Sequence, residues 1–111
     1  MKKVPSFKKK YLEGRDMLFG SLIKNNNGVL FNKSHGNLVD KLIIEIVKDI
    51  QITFPVSDFC LIAVGGYGRH DLSPKSDVDL LFIYKKSNKN IRDFITQLNN
   101  TLWDIGLEVG I

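Results

Sequence analysis

Residues 59–84 read FCLIAV-GGYGRHDLSPKS-DVDLLFIY, and this stretch decides the architecture. Two apolar, β-rich runs flank a glycine-rich loop, so the spacing predicts strand, loop, strand. Asp77 and Asp79 stand one residue apart where the second run opens. In a strand, residues two apart share a face, so both carboxylates project together while Val78 and Leu80 turn to the other side. Two ionised carboxylates this close repel unless a cation lies between them. Mg²⁺ suits the position: it is hard, takes oxygen ligands, and is commonly held by one or two carboxylates plus substrate phosphates. Gly65 and Gly66 remove side chains at the end of the first strand, so backbone N–H groups can approach a phosphate closely. Gly68 adds freedom, and Arg69 offers a fixed-charge fork for phosphate oxygens. Ser73 or Ser76 could donate a hydroxyl to a triphosphate or stabilise the turn before Asp77. The expected metal ligands and catalytic residues are therefore Asp77 and Asp79, with Gly65, Gly66, Arg69 and Ser76 as nucleotide-binding residues.

An Asp-x-Asp or a glycine cluster is weak taken singly; their combination at this spacing is what carries chemistry. The loop is not a Walker A motif, because no Gly-Lys-Ser/Thr follows. It does not match a dinucleotide fingerprint either, since Asp71 stands where the third small residue belongs. Tyr67 and His70 read as packing or loop residues, and His35 receives no role.

The rest of the chain is organised to support that stretch. Apolar positions from Tyr11 to Ile23 give a rough helical stripe, weakened by Gly14 and Gly20, and Pro5 argues against an earlier start. Asn25-Asn26-Asn27-Gly28 is a break built from turn residues. Asn37 is the expected N-cap of a helix over 38–50, with Asp40 at N3 and a wide apolar face from Leu38 to Ile50. Asn90 is expected to cap a further helix, with Asp93 at N3 and Gly106 at C′. Leu107 to Ile111 read as the opening of another strand, so the sequence is expected to be a fragment. The predicted class is α+β (mixed α/β): a small mixed sheet flanked by helices and truncated at the C-terminus, with residues 1–10 a basic flexible tail and 11–111 the N-terminal part of one domain.

The chain has 111 residues, 43% of them hydrophobic, enough for one small core. Its formal charge of +4 invites a nucleic-acid reading. Lys2, Lys3, Lys8, Lys9 and Lys10 contribute five of the positive charges, which leaves the other residues at −1 against the chain's +4. A lysine-rich end of this kind is ordinarily solvated, so no nucleic-acid partner is expected. The single cysteine, Cys60, lies in an apolar run and is expected to be a buried free thiol, in keeping with a reducing cytoplasm. No apolar run approaches the roughly 18 residues of a membrane span, and no apolar segment of a signal peptide follows Lys10.

The order Gly-Gly-x10-Asp-x-Asp resembles the signature of the DNA polymerase β-like nucleotidyltransferases. The fuller string GGYGRHDLSPKSDVDLLFIY is similar to the nucleotidyltransferase domain of bifunctional bacterial PII uridylyltransferase/uridylyl-removing enzymes. Their pattern is close to GGYGR-x-E-L-x-P-x-SD-[IV]-DLL; here Asp71 replaces the usual Glu and His70 a common Gly. The likeness extends to TLWDIGLEVGI and, more loosely, to GNLVDKLIIEI. It implies a polymerase β-like fold and two-metal, Mg²⁺-dependent transfer of UMP from UTP to a tyrosine of the PII signalling protein. By that resemblance Asp77 and Asp79 are Mg²⁺ ligands, and Gly65, Gly66 and Arg69 hold UTP. The family's HD hydrolase and ACT domains are absent from these 111 residues, and its third carboxylate lies on a later strand, with Glu108 too early to fill it. The chain alone is therefore expected to be catalytically incomplete. Glutamine synthetase adenylyltransferases carry a comparable stretch, but Gly-Gly-Tyr-Gly-Arg favours the uridylyltransferases. The remaining alternative is a non-catalytic nucleotide-binding or interaction module.

Overall fold

The computed structural model describes residues 4–69, 71–73 and 77–110. Its elements follow the order α1 (Val4–Asn25), α2 (Gly28–Thr53), β1 (Phe59–Val64), α3 (Gly65–Gly68), β2 (Val78–Tyr84), α4 (Lys89–Asp104) and β3 (Val109–Gly110). The mixed α+β class expected from the sequence is the one observed. The three strands lie in the order β1-β2-β3, with β1 and β2 antiparallel and β2 and β3 parallel. No helix among the described residues is long and apolar enough to cross a membrane.

Three helix starts differ from the sequence reading. Helix α1 starts at Val4, so residues 4–10 are helical rather than a flexible tail, and Phe7 is buried. Pro5 falls in the first turn, where its missing N–H would have no intrahelical partner in any case. Helix α2 starts at Gly28, and its N-cap is Asn27, whose side chain accepts from the Leu30 amide at 3.1 Å. Asn37 is thus an exposed mid-helix residue and not a cap. The buried stripe begins earlier than the aliphatic pattern indicates because Phe31 and His35 belong to it. Only Asn26, at φ 50°, and Asn27 separate α1 from α2, and this sharp break folds the two helices back on each other. Phe19 stacks on Phe31 at 5.0 Å, and Lys10 reaches Glu45 at 3.0 Å.

The cap of α4 is likewise Asn88 instead of Asn90: its side chain accepts from the Ile91 amide at 3.0 Å. Gly106, at φ 103°, terminates that helix as expected. Phe94 of α4 is fully buried, its ring 5.4 Å from Phe59 and 5.8 Å from Phe82. That cluster fixes one face of the sheet to the helices. The other face is open. Cys60, Ile62 and Val64 alternate with half-buried neighbours along β1, and register sets Cys60 beside Ile83 and Ile62 beside Leu81. Cys60 is therefore exposed, correcting the buried thiol expected from its apolar neighbours.

His35, given no role by the sequence, is 1% exposed and joins three parts of the fold. Its Nδ1 lies 3.1 Å from the Leu72 carbonyl, an acceptor, so Nδ1–H donates there. Nε2 then accepts from the Tyr11 hydroxyl at 2.9 Å. Burial lowers the His35 pKa, the Leu72 hydrogen bond opposes that shift, and nearby Arg15 lowers it further. The unfolded chain therefore takes up a proton that the folded chain resists. Stability from this site is complete above a pH of about 6.5 and is lost as pH falls below it, at up to about 1.4 kcal/mol per pH unit. Urea unfolding at pH 7.5, 6.5 and 5.5 should show this decline, and His35→Gln should flatten it. An equally steep decline in the variant would refute the assignment.

Candidate functional site

The site begins where β1 ends. Gly65 has φ 64°, a backbone conformation that disfavours any side chain, and a Cβ there would lie 2.9 Å from Asp79 Oδ2. The chain then makes the single helical turn of α3, with the Arg69 amide donating to the Gly65 and Gly66 carbonyls at 3.2 and 3.1 Å. Gly68 is needed for proximity: a Cβ there would sit 2.6 Å from the Ala63 carbonyl oxygen. This differs from the flexibility its presence suggested.

Helix α2 holds both ends of the loop. Tyr67 is buried, and its hydroxyl donates a hydrogen bond to Asp40. Burial, reinforced by the Asp40 carboxylate, pushes its phenol well above the ordinary range, so it remains a protonated donor. Farther along, Asn32 Nδ2 donates to Asp71 Oδ1 at 2.8 Å, and the Leu72 amide donates to the Asn32 carbonyl at 3.3 Å. Leu72 is wholly buried, with its Cβ 3.8 Å from where a Cβ on Gly36 would stand.

Strand β2 supplies the acids. Asp79 pairs with Val64 on one side and Gly110 on the other. A Cβ on Gly110 would lie 3.2 Å from Asp79 Oδ1. The carboxylate thus sits in a slot between two glycines. Asp77 precedes the strand, and the Val78 amide between the two acids donates to the Glu108 carbonyl at 2.8 Å.

These elements enclose a polar cleft of about 430 Å³, lined by Asn32, Gly66, Arg69, Asp71, Ser73, Asp77 and Asp79. The structure brings together four expected residues, Gly66, Arg69, Asp77 and Asp79, and Gly65 abuts Asp79 from behind. Ser76 lies outside the described residues. Asn32 was not expected; it is distant in sequence, and nothing in its own neighbourhood marks it. Asp77 and Asp79 are both exposed, and neither forms an ion pair with a described residue. Two hard oxygen donors open to solvent fit a divalent cation that completes its shell with water and phosphate. Among the described residues no group of three His, Cys, Asp or Glu side chains is placed to hold a metal ion.

Residues 24–110 match the family model described as "Putative nucleotidyltransferase DUF294". The chain belongs to this nucleotidyltransferase family. It is 38% identical over 94 residues to the bifunctional uridylyltransferase/uridylyl-removing enzyme of Pseudoalteromonas translucida, covering 84% of this chain and 11% of that protein. The enzyme of the same name from Pseudomonas fluorescens strain SBW25 is 34% identical over 108 residues, covering 96% and 12%. The one from Haemophilus influenzae is 40% identical over 72 residues, covering 64% and 8%. The chain thus spans about a tenth of the length of these relatives. No solved structure matches it.

In this member of the nucleotidyltransferase family, the glycines of the site answer to steric need, which a stability measurement can check. Gly68→Ala should lower the unfolding free energy by about 2 kcal/mol, through overpacking against backbone that cannot yield. Gly20→Ala, in a helix with open space around it, should raise stability by about 0.5–1 kcal/mol. A Gly68→Ala protein as stable as the parent in urea would contradict the packing described.

Proposed function

We propose that the polar cleft binds UTP with Mg²⁺, and that the complete protein uses it to transfer UMP to a tyrosine of a PII signalling protein. The observation that carries this reading is the convergence of Asp77, Asp79, Arg69 and Gly66 on one cleft, in a nucleotidyltransferase similar to uridylyltransferases. Each group has a separate task. Asp77 and Asp79 would hold the cation with two oxygens and leave its other positions for phosphate and water. Arg69 would hold phosphate oxygens through its planar guanidinium fork. Gly66 lines the cleft, and its missing side chain leaves space for the Asp71 carbonyl, which a Cβ there would approach at 3.1 Å.

Bound Mg²⁺ would supply charge neutralisation for the departing pyrophosphate and acidify the attacking hydroxyl. In the transfer, the acceptor's hydroxyl oxygen forms a bond to the α-phosphorus of UTP. The bond from that phosphorus to the bridging oxygen breaks, pyrophosphate leaves with the electron pair, and the hydroxyl proton is released. The chain's own contribution is to place the triphosphate so that its α-phosphorus faces the acceptor.

Calorimetric titration with UTP in the presence of Mg²⁺ tests the reading. The 111-residue chain should bind UTP more tightly than ATP, and Asp77→Asn or Asp79→Asn should weaken binding at least about tenfold, by loss of charge-assisted metal ligation. Unchanged binding in both variants would remove them from the metal site. A preference for ATP would remove UTP as the substrate.

A further inference from the structure

We infer that the hydrogen bond from Tyr67 to Asp40 is a positioning contact that locks the glycine-rich turn onto α2 in its ligand-receiving shape. The inference rests on the nucleotide reading above, which gives no task to either residue. Tyr67 is flanked by Gly66 and Gly68, residues with no side chain to secure the turn. Glycine also loses more conformational freedom on ordering than any other residue. The turn therefore has one side-chain anchor at its start, and that anchor is Tyr67. Its ring belongs to the main hydrophobic core, together with Leu80 and Val39. Ring burial alone leaves rotation and depth poorly defined, because apolar contact is non-directional. The hydroxyl removes that freedom by donating to a carboxylate, a charge-assisted bond of the stronger kind.

The acceptor's placement matters as much as its charge. Asp40 lies about two helical turns beyond Asn32 on α2. Asn32 holds the far end of the same loop through Asp71 and Leu72. One rigid helix thus clamps the loop before and after Arg69, which itself is exposed on the cleft. Releasing the first clamp would leave the turn to be ordered by the ligand, and the ordering cost would appear as weaker binding.

Tyr67→Phe removes the hydroxyl and keeps the ring. With the wild-type chain as reference, amide hydrogen exchange over residues 65–69 should quicken about tenfold in Tyr67→Phe and in Asp40→Ala, and the Kd for UTP with Mg²⁺ should rise by a similar factor. Asp40→Asn retains an acceptor oxygen and should restore much of both. The double variant Tyr67→Phe/Asp40→Ala should be no worse than either single one, because both remove the same bond. Unchanged exchange over 65–69 overturns the proposal, and so does quickened exchange with unaltered UTP affinity, which would mark a contact of stability alone. The exchange arm needs no nucleotide: a wild-type chain that binds no UTP would sink the nucleotide reading, while exchange still decides whether this bond sets the turn.

Discussion

Asp79 can occupy its position only because no side chain stands on either side of it. Its carboxylate lies between Gly65, at the start of the loop, and Gly110, on the neighbouring parallel strand. Asp79 is exposed, so a side chain on either glycine would turn the carboxylate out of this position, and at Gly65 the φ of 64° would add backbone strain. Most of the local architecture follows from this constraint. Gly65 must follow β1 directly, so β1 and β2 must keep the register that sets Val64 beside Asp79. Strand β3 must lie parallel to β2 at the same level. Helix α4, between β2 and β3, provides the crossover that a parallel pairing requires.

Helix α2 carries the second constraint. A glycine-rich loop has little to hold it in shape, and here the restraint comes from one face of a long neighbouring helix. Asn32, His35, Gly36 and Asp40 recur at helical spacing and meet, in turn, Asp71, Leu72 and Tyr67. His35 passes this support on to α1 through Tyr11. The α1–α2 hairpin is therefore more than a cover for the sheet: it is the frame against which the loop is set.

The parts of this design that depend on adjacent residues were legible in the sequence. Strand alternation gave Asp77 and Asp79 a common destination, and the glycine pair marked close approach, because both signals are local. Helix caps were misread: Asn37 and Asn90 have the right chemistry, but the buried stripe of α2 already begins at Phe31. In α4 the Ile91 amide is capped by Asn88, three residues before it, where exposed residues 88–90 give no apolar signal. Cys60 was misplaced because β1 is apolar on both faces, so its sequence does not say which face is covered. The long-range ties, Asn32 to Asp71 and Asp40 to Tyr67, left no local signal. Tyr67 was left open between a packing and a loop-surface role; the structure shows the packing one, and its tie to Asp40 follows from tertiary packing alone.

The central claim is that a divalent cation binds at Asp77 and Asp79 beside the glycine turn. Paramagnetic broadening by Mn²⁺, read in amide spectra of the isotopically labelled chain with UTP present, tests it most directly. The account predicts selective loss of the signals of Gly65, Gly66, Val78, Asp79 and Gly110, reversed by excess Mg²⁺. Broadening centred on another acidic surface, such as that of Glu45 and Asp49 on α2, would contradict it.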